Sequence, residues 1–187
     1  MIERVVAGLV RVSRIERTTT QRIVILSGGI LLFLVGLPWL LMIIGGLLAP
    51  RIAPTWPRTL ELALAAPLVL LGLLMIGWAT VTQWWLGKGT PAPLAPPQHL
   101  IVRGAYRLCR NPIQLGLLFY MLGVITWLDT FTTALAGVAL WFVPMSAYHK
   151  FIEERELLER FGAEYREYRD RTPFLIPRVG RRSRRAS

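Results

Sequence analysis

The sequence predicts an all-α, polytopic membrane protein with about four transmembrane helices and with both termini in the cytoplasm. Its 187 residues are 53% hydrophobic and only 18% charged, whereas a soluble domain averages about 25% charged residues. The mean hydropathy is +0.46, the hydrophobic residues form long runs, and the basic residues collect between those runs. Long apolar runs with charges confined to the connections are typical of helices that cross a bilayer.

Residues 1–22 form a basic N-terminal segment that precedes the first apolar run and holds five arginines. At helical spacing, Ile2, Val5 and Leu9 fall on one side, while Arg4 and Arg11 fall on the other. This pattern predicts an amphipathic helix that lies at the membrane interface. A disordered basic lead-in is an equally good interpretation of the same residues.

Four apolar runs follow, and each predicts a transmembrane helix. The first run has 26 residues, which exceeds the roughly 20 that a span needs and is too long for the apolar region of a signal peptide. Pro38 and Pro144 are expected to kink the first and the last of these helices. The predicted spans are residues 23–48, 60–86, 112–128 and 131–152.

The connections between and after these spans differ in character. Residues 87–111 form a long, proline-rich polar connection, and a loop of that length is usually functional or disordered. The last span is expected to continue outside the membrane as a C-terminal helix over residues 153–170, followed by a disordered basic tail at residues 179–187. Residues 23–178 are therefore predicted to form one membrane domain.

The orientation follows from the placement of lysine and arginine. The N-terminal segment holds 5 of the 22 basic residues, the 87–111 connection 4, and the chain from Lys150 onward 11. With four spans these 20 residues share one side of the membrane, which is then the cytoplasmic side. An odd number of spans would divide them between the two sides.

Two polar clusters stand at the ends of the last two spans, at residues 103–112 and 153–154. The turn at Asp129 and Thr130 is so short that these spans must be antiparallel neighbours, so both clusters reach the cytoplasmic side. At 1.5 Å per residue, Glu153 lies within about 6 Å of the depth of Arg110. Ionisable groups at this depth are costly and usually functional. We therefore predict one polar pocket that contains Arg110, Asn111, His149, Glu153 and Glu154.

Simpler roles are open for the same residues. Arg110 could anchor a helix end among phosphate headgroups, and the two glutamates could be ordinary helical partners of Lys150. His149 fits an interfacial or core position. Further along the C-terminal helix, the spacing predicts plain ion pairs on the helix surface: Arg155 with Glu159, Glu156 with Arg160, Arg166 with Asp170, and Glu167 with Arg171.

The composition also excludes some classes of function. Cys109 is the only cysteine, so an intramolecular disulfide is impossible, and no cysteine or histidine spacing predicts a metal site. The net charge of +11 is distributed around the apolar spans and over the C-terminus. This distribution favours membrane lipids as partners of the basic residues, and no nucleic-acid partner is predicted.

Residues 104–116 resemble a motif of integral membrane methyltransferases. Their sequence GAYRLCRNPIQLG resembles the pattern G-x-Y-x-x-x-R-[HN]-P-x-Y-x-G of the isoprenylcysteine carboxyl methyltransferases and phospholipid N-methyltransferases. The family continues with a hydrophobic hairpin, a Glu-Glu pair, F-G-x-x-Y-x-x-Y and P-x-x-I-P. Residues 153–154, 161–168 and 173–177 match these. The resemblance covers about residues 83–178 and departs at Asn111, where the isoprenylcysteine enzymes usually carry His, and at Gln114, where the family usually carries Tyr.

The resemblance implies a bacterial inner-membrane enzyme that uses S-adenosylmethionine. Arg110 would pair with the cofactor carboxylate, and Glu153 or Glu154 would accept from its ribose hydroxyls or ammonium. His149 or a glutamate would take a proton from an amine acceptor. The implied catalytic residues are Arg110, Asn111, His149, Glu153 and Glu154. The implied cofactor-binding residues are Gly104, Tyr106, Arg110, Asn111, Pro112, Gly116, Glu153 and Glu154.

The acceptor implied by the resemblance is lipophilic and enters from the bilayer. An isoprenylcysteine-like carboxylate is the first expectation, and the amine of a phospholipid is the alternative. A non-catalytic membrane scaffold or a transporter is a third interpretation. A transporter should carry ionisable residues in mid-span, whereas Glu61 stands only at the edge of the second span.

Overall fold

The computed structural model describes residues 2–49 and 56–177, and all regular structure within these ranges is helical. This confirms the predicted all-α class. The predicted tail at residues 179–187 lies outside the described residues, as does most of the turn after the first span. The helices are α1 (Ile2–Ser13), α2 (Thr19–Leu48), α3 (Arg58–Leu86), α4 (Pro112–Leu128), α5 (Phe131–Tyr148) and α6 (Glu154–Arg171).

Three helical stretches are long and apolar enough to cross a membrane. They are α2 with 30 residues, α3 with 29, and the continuous stretch Phe131–Arg171 with 41. Helix α4 is also apolar, but it has only 17 residues. Large apolar side chains are exposed along these helices, for example Leu47, Leu74 and Val143. This arrangement supports the class of integral membrane protein.

Helix α2 begins four residues before the predicted span. The Thr18 hydroxyl accepts from the backbone N–H of Gln21, and the Gln21 side chain accepts from the N–H of Thr18. This reciprocal pair is a capping box, which satisfies two free donors at the helix start. Residues Leu32–Gly36 form a π-helical turn, and the helix continues past Pro38. Proline has no N–H to donate to the carbonyl four residues earlier, that of Leu34, and this carbonyl instead accepts from the Tyr120 hydroxyl at 2.7 Å.

Polar side chains join the helix ends at both ends of the bundle. At one end, Arg22 donates from Nη2 to the Trp84 carbonyl at 3.0 Å, which places the start of α2 beside the end of α3. At the other end, Arg58 donates to the Trp127 carbonyl at 2.6 Å, and the Glu61 carboxylate accepts from the N–H of Phe131 at 2.8 Å. These contacts cap the end of α4 and the start of α5. Helices α2 to α5 therefore run alternately up and down.

Glycines allow the helices to approach closely. A Cβ added to Gly45 of α2 would lie 2.3 Å from the Thr133 carbonyl oxygen of α5. One added to Gly72 of α3 would lie 2.7 Å from the carbonyl oxygen of Gly116 on α4. Small residues at helix crossings are typical of membrane bundles, where backbone contact replaces the hydrophobic driving force.

The last span bends at its polar end and meets the N-terminal helix. Residues His149–Glu153 form a π-helical turn between α5 and α6, and α6 bends again at Gly162, which has a φ of 53°. Helix α1 packs against this turn and against α6, and its Val6 is buried. Residues 2–13 thus form a helix, as the amphipathic pattern predicted, whereas residues 19–22 belong to α2. The location of α1 at the membrane interface stays a prediction.

Candidate functional site

A cavity of about 430 Å³ lies at the end of the bundle where α2 and α4 begin. This volume is in the range of small-molecule sites, about 300–1,000 Å³. Its apolar part lies between helices α2 to α5 and is lined by Ile30, Leu34, Ile76, Leu117 and Trp141. Its polar part is bordered by the proline-rich connection and by α6. The polar lining includes Arg110, Asn111, His149, Glu153, Glu154, Glu156 and Arg160.

The first polar cluster is held by contacts with the C-terminal segment. The backbone N–H of Arg110 donates to the Pro173 carbonyl at 2.9 Å, and Asn111 Nδ2 donates to the Phe174 carbonyl at 3.1 Å. The Tyr168 hydroxyl donates to the Tyr106 carbonyl at 2.7 Å. The motif at residues 104–116 therefore meets the two C-terminal motifs, at residues 161–168 and 173–177, around the start of α4.

The two predicted clusters touch through a buried ion pair. Arg110 Nη2 lies 2.9 Å from Glu154 Oε1, and the two side chains are only 8% and 10% exposed. Lys150 also contacts the Glu154 carboxylate, at 3.2 Å, but its side chain is 45% exposed. Glu154 is therefore neutralised from two sides. The shorter of its two contacts is with Arg110, so the Glu154 carboxylate positions that guanidinium.

Arg110 keeps hydrogen-bonding capacity beyond this pair. Its Nε and Nη1 atoms are buried and have no hydrogen-bond partner among the described residues. Buried donors of this kind are nearly always paired in proteins. The guanidinium therefore has two free donors, Nε and Nη1, on the lining of the cavity, and each suits a hydrogen bond to an anionic ligand.

Glu153 has a different environment from Glu154. Its carboxylate contacts His149 Nδ1 one helical turn earlier, and its side chain is 36% exposed. Both residues line the cavity. Among the described residues, Glu153 has this imidazole as its ion-pair partner, whereas Glu154 has two cationic partners, so Glu153 is the more available of the two carboxylates for a ligand.

The structure places the remaining predicted residues in two groups. Tyr106 and Pro112 line the cavity. Gly104 and Gly116 do not belong to its lining. Gly104 has a φ of +60° and faces Thr82, and an added Cβ on Gly116 would lie 2.8 Å from Ile76. The observed role of both glycines is close packing against α3, so direct contact with a cofactor stays a prediction for them.

Glu156 and Arg160 form a second buried ion pair that sequence reasoning treated as a plain surface pair. The atoms lie 2.9 Å apart, both side chains are 9% exposed, and Arg160 also donates to the Pro97 carbonyl. Burial raises the pKa of the Glu156 carboxyl, and the Arg160 guanidinium opposes that rise. This pair fastens the proline-rich connection to α6 beside the cavity. Helical spacing alone could not reveal the contact with the connection, because Arg160 and Pro97 are 63 residues apart in the sequence.

Burial raises the pKa of the tyrosine hydroxyls around the first ion pair. The pKa of Tyr165 rises to about 12, with the Glu154 carboxylate adding to the effect of burial and Arg110 opposing it. Burial also raises the pKa of Tyr168 and Tyr106, and the Glu153 carboxylate adds to the rise at Tyr106. These phenols are protonated at neutral pH, so they act as hydrogen-bond donors and not as bases.

Gln114 also lines the cavity. Its Nε2 donates to Ser146 Oγ on α5 at 2.8 Å. The departure from the expected tyrosine is thus accommodated by a hydrogen bond between α4 and α5.

Comparison with known proteins identifies similarity to methyltransferases. The family model described as phospholipid methyltransferase matches residues 60–164, which is more than half of the chain. Methanethiol S-methyltransferase 2 of Bradyrhizobium diazoefficiens is 37% identical over 82 residues, covering 42% of this chain and 29% of that protein. Methanethiol S-methyltransferase 1 of the same organism is 32% identical over 107 residues, covering 55% and 33%. The chain thus matches about a third of the length of these relatives.

Proposed function

The chain belongs to the phospholipid methyltransferase family, and from this membership we propose that it transfers a methyl group from S-adenosylmethionine to a lipophilic acceptor. The observation that carries the proposal is a single cavity with two different ends. A buried Arg110–Glu154 pair forms the polar end, and apolar side chains of four helices form the other. A charged cofactor needs a polar site, an apolar acceptor needs an apolar site, and the two sites must adjoin for methyl transfer.

The polar residues fit the cofactor chemically. S-adenosylmethionine supplies an electrophilic methyl group on a sulfonium and also carries a carboxylate, an ammonium and a ribose diol. The free Nε and Nη1 donors of Arg110 suit the carboxylate. The uncapped start of α4 directly follows Arg110 and Asn111 and adds positive charge there. Glu153 suits the ammonium or the ribose hydroxyls, while Glu154 holds Arg110 in place.

The protein would accelerate the transfer mainly by alignment and by exclusion of water. The proline-rich connection covers the polar end, and its Thr90 and Ala95 are joined by a 2.7 Å backbone hydrogen bond. Arg160 fastens this cover to α6 through the Pro97 carbonyl. His149, held against Glu153, is placed to take the proton that a protonated acceptor must lose.

The acceptor belongs to one of three chemical classes. The motifs favour an isoprenylcysteine-like carboxylate, and the family description favours a phospholipid. The names of the two bacterial relatives favour a thiol. A transporter is the least supported interpretation, because buried Glu61 is occupied in capping the α4–α5 turn with Arg58.

For the topology we propose four spans in a bacterial inner membrane with both described ends of the chain in the cytoplasm. The alternating directions of α2 to α5 support four spans. Like its neighbours, α4 runs from one end of the bundle to the other, from the polar end of the cavity to the turn before α5. Its 17 residues are at the short limit for a span. The strongly basic segments then lie on one side, as the positive-inside rule requires.

Transfer of a labelled methyl group tests this function. Purified protein is incubated with methyl-labelled S-adenosylmethionine and a bacterial membrane extract. We expect label in the organic-soluble fraction with the wild-type protein, and at least tenfold less with Glu153→Ala/Glu154→Ala. Arg171→Ala, on the exposed side of α6, is the control and should transfer like wild type. Equal labelling by all three proteins would contradict the proposed site.

A further inference from the structure

The two halves of helix α2 pack differently. The second half is in close contact with α5, and its Pro38, Leu41 and Gly45 are buried. In the first half, Thr19–Leu31, no residue is buried. Helix α3 packs closely on α4, but among the described residues α2 and α3 are not packed against each other. Because both helices line the cavity, the gap between them adjoins it.

Arg22 bridges this gap at the polar end of the cavity. It donates from α2 to the Trp84 carbonyl of α3, and its guanidinium lies 3.9 Å from the centre of the Trp84 ring. It also donates to the Gly89 carbonyl of the proline-rich connection at 3.3 Å. Tryptophan and arginine at helix ends are typical of the membrane–water interface. In the proposed topology, Arg22 therefore spans the gap at about the depth of the lipid headgroups.

Two glycines face each other across the gap at a deeper level. Gly29 lies seven residues after Arg22 on α2, and Gly77 lies seven residues before Trp84 on the antiparallel α3. Seven residues are nearly two helical turns and about 10 Å. Both glycines therefore lie at one depth and on the same helix faces as the Arg22–Trp84 contact. A Cβ added to either glycine would meet no atom within 4 Å, so the gap is open here.

This opening, which we call the lateral mouth, connects the cavity with the exterior of the bundle. Gly29 and Ile30 line the cavity, although Ile30 is 48% exposed. On α3, Ile76 and Thr80 line the cavity on either side of Gly77. The mouth lies about 10 Å below an interfacial contact, which is within a hydrocarbon core about 30 Å thick. It therefore faces acyl chains and not water.

Building on the proposed function, we propose that the acceptor has a long apolar chain, that this chain leaves the cavity through the lateral mouth, and that Gly29 determines the chain length that is accepted. A charged group is costly at this depth, so the part of the acceptor in the mouth is apolar. The occupant is the acceptor itself, because the mouth is continuous with the cavity at whose polar end Arg110 and Glu153 lie.

The absence of a side chain at position 29 keeps the mouth open. The other residues on the cavity-lining face of the first half of α2 and the turn after it are large, namely Leu26, Ile30 and Phe33. A large side chain at position 29 would fill the opening beside Gly77. A long chain would then be excluded, whereas a short acceptor fits inside the cavity and does not reach the mouth.

Substitutions at adjacent glycines test the proposal. Gly28→Phe is the matched control for Gly29→Phe, because a Cβ added to Gly28 also meets no atom within 4 Å and Gly28 does not belong to the cavity lining. The solubilised protein is supplied with methyl-labelled S-adenosylmethionine and with hexadecanethiol, hexadecylamine and hexadecanoate together, or with the three butyl counterparts. We expect Gly29→Phe to lower transfer to the hexadecyl acceptors at least tenfold and transfer to the butyl acceptors less than twofold. Gly28→Phe should transfer like wild type to both sets.

Native mass spectrometry with S-adenosylhomocysteine present measures retention of the chain without turnover. One hexadecyl molecule should remain on the wild-type protein and on Gly28→Phe, and at least tenfold less should remain on Gly29→Phe. Equal retention by the two variants, or equal losses of hexadecyl and butyl transfer in Gly29→Phe, would overturn the role of Gly29. A wild-type protein that retains no hexadecyl molecule would show that the gap holds only bilayer lipid, which overturns the proposal.

Cofactor binding separates this inference from the proposed function. S-adenosylmethionine should bind the wild-type protein and both variants equally, which also shows that the variants are folded. Cofactor binding without the expected effects of Gly29→Phe would overturn only this inference. Failure of the wild-type protein to bind the cofactor would overturn the proposed function and this inference with it.

Discussion

The Arg110–Glu154 pair should contribute strongly to stability because it is buried, and a double-mutant cycle measures that contribution. Its atoms lie 2.9 Å apart and its side chains are 8% and 10% exposed. Removing one partner of a buried pair costs about 3–5 kcal/mol. Because Lys150 still contacts Glu154 in the Arg110→Met variant, we expect the lower limit, about 3 kcal/mol. The double variant Arg110→Met/Glu154→Gln should be more stable than the sum of the single effects by about 2 kcal/mol.

Thermal unfolding in detergent, followed by tryptophan fluorescence, gives the comparison. For a chain of this size, 1 kcal/mol shifts Tm by about 2–4 °C, so Arg110→Met should unfold about 6–12 °C below wild type. The exposed pair Glu167–Arg171, with atoms 3.1 Å apart and side chains 73% and 57% exposed, is the matched control. Its cycle should give less than about 1 kcal/mol. Additive effects at Arg110 and Glu154 would refute the argument that burial makes this pair strong.

Three further predictions concern packing, the C-terminal segment and pH. Gly45→Ala should lower Tm by several degrees, because the added Cβ would lie 2.3 Å from the Thr133 carbonyl oxygen. Gly46→Ala is the control and should leave Tm unchanged, because its Cβ would meet nothing closer than 3.8 Å. Equal Tm values for the two variants would contradict the close crossing of α2 and α5. Asn111→Leu removes the hydrogen bond to the Phe174 carbonyl, which should cost about 1 kcal/mol. Limited proteolysis of residues 172–177 should therefore accelerate roughly fivefold. An unchanged rate would show that this hydrogen bond does not hold the C-terminal segment in place. The pKa of Tyr165 is raised from 10.0 to about 12, so its contribution to stability is complete below pH 10 and is lost as the pH rises toward 12. Tyr165→Phe should flatten the decline of Tm over that range, and an identical slope would exclude this tyrosine as its source.

The helices could be predicted because apolar runs and prolines mark them directly. The bounds of α4 agree with the predicted span 112–128, since Asp129 and Pro112 flank the run. The start of α2 was missed by four residues because the apolar run does not include its cap. The signal was present as Thr18 and Gln21, three residues apart, a spacing typical of a capping box.

The site was partly predictable because the short turn at residues 129–130 makes α4 and α5 antiparallel neighbours. Antiparallel pairing at residues 129–130 was enough to bring Arg110 to Glu154, and the motif resemblance to membrane methyltransferases is confirmed by the family match. The tertiary partners of Glu156 and Arg160 could not be predicted, because their burial depends on a loop that is distant in the sequence. Likewise, only the structure shows that Gln114 is turned toward Ser146 and not toward its own helix end.

The proposed function depends on binding of S-adenosylmethionine in the cavity at Arg110, and a calorimetric titration of the solubilised protein measures that binding. We expect saturable binding to the wild-type protein and at least tenfold weaker binding to Arg110→Ala, which corresponds to about 1.4 kcal/mol. A folded wild-type sample without binding up to millimolar cofactor, or unchanged affinity in Arg110→Ala, would show that this cavity is not the cofactor site.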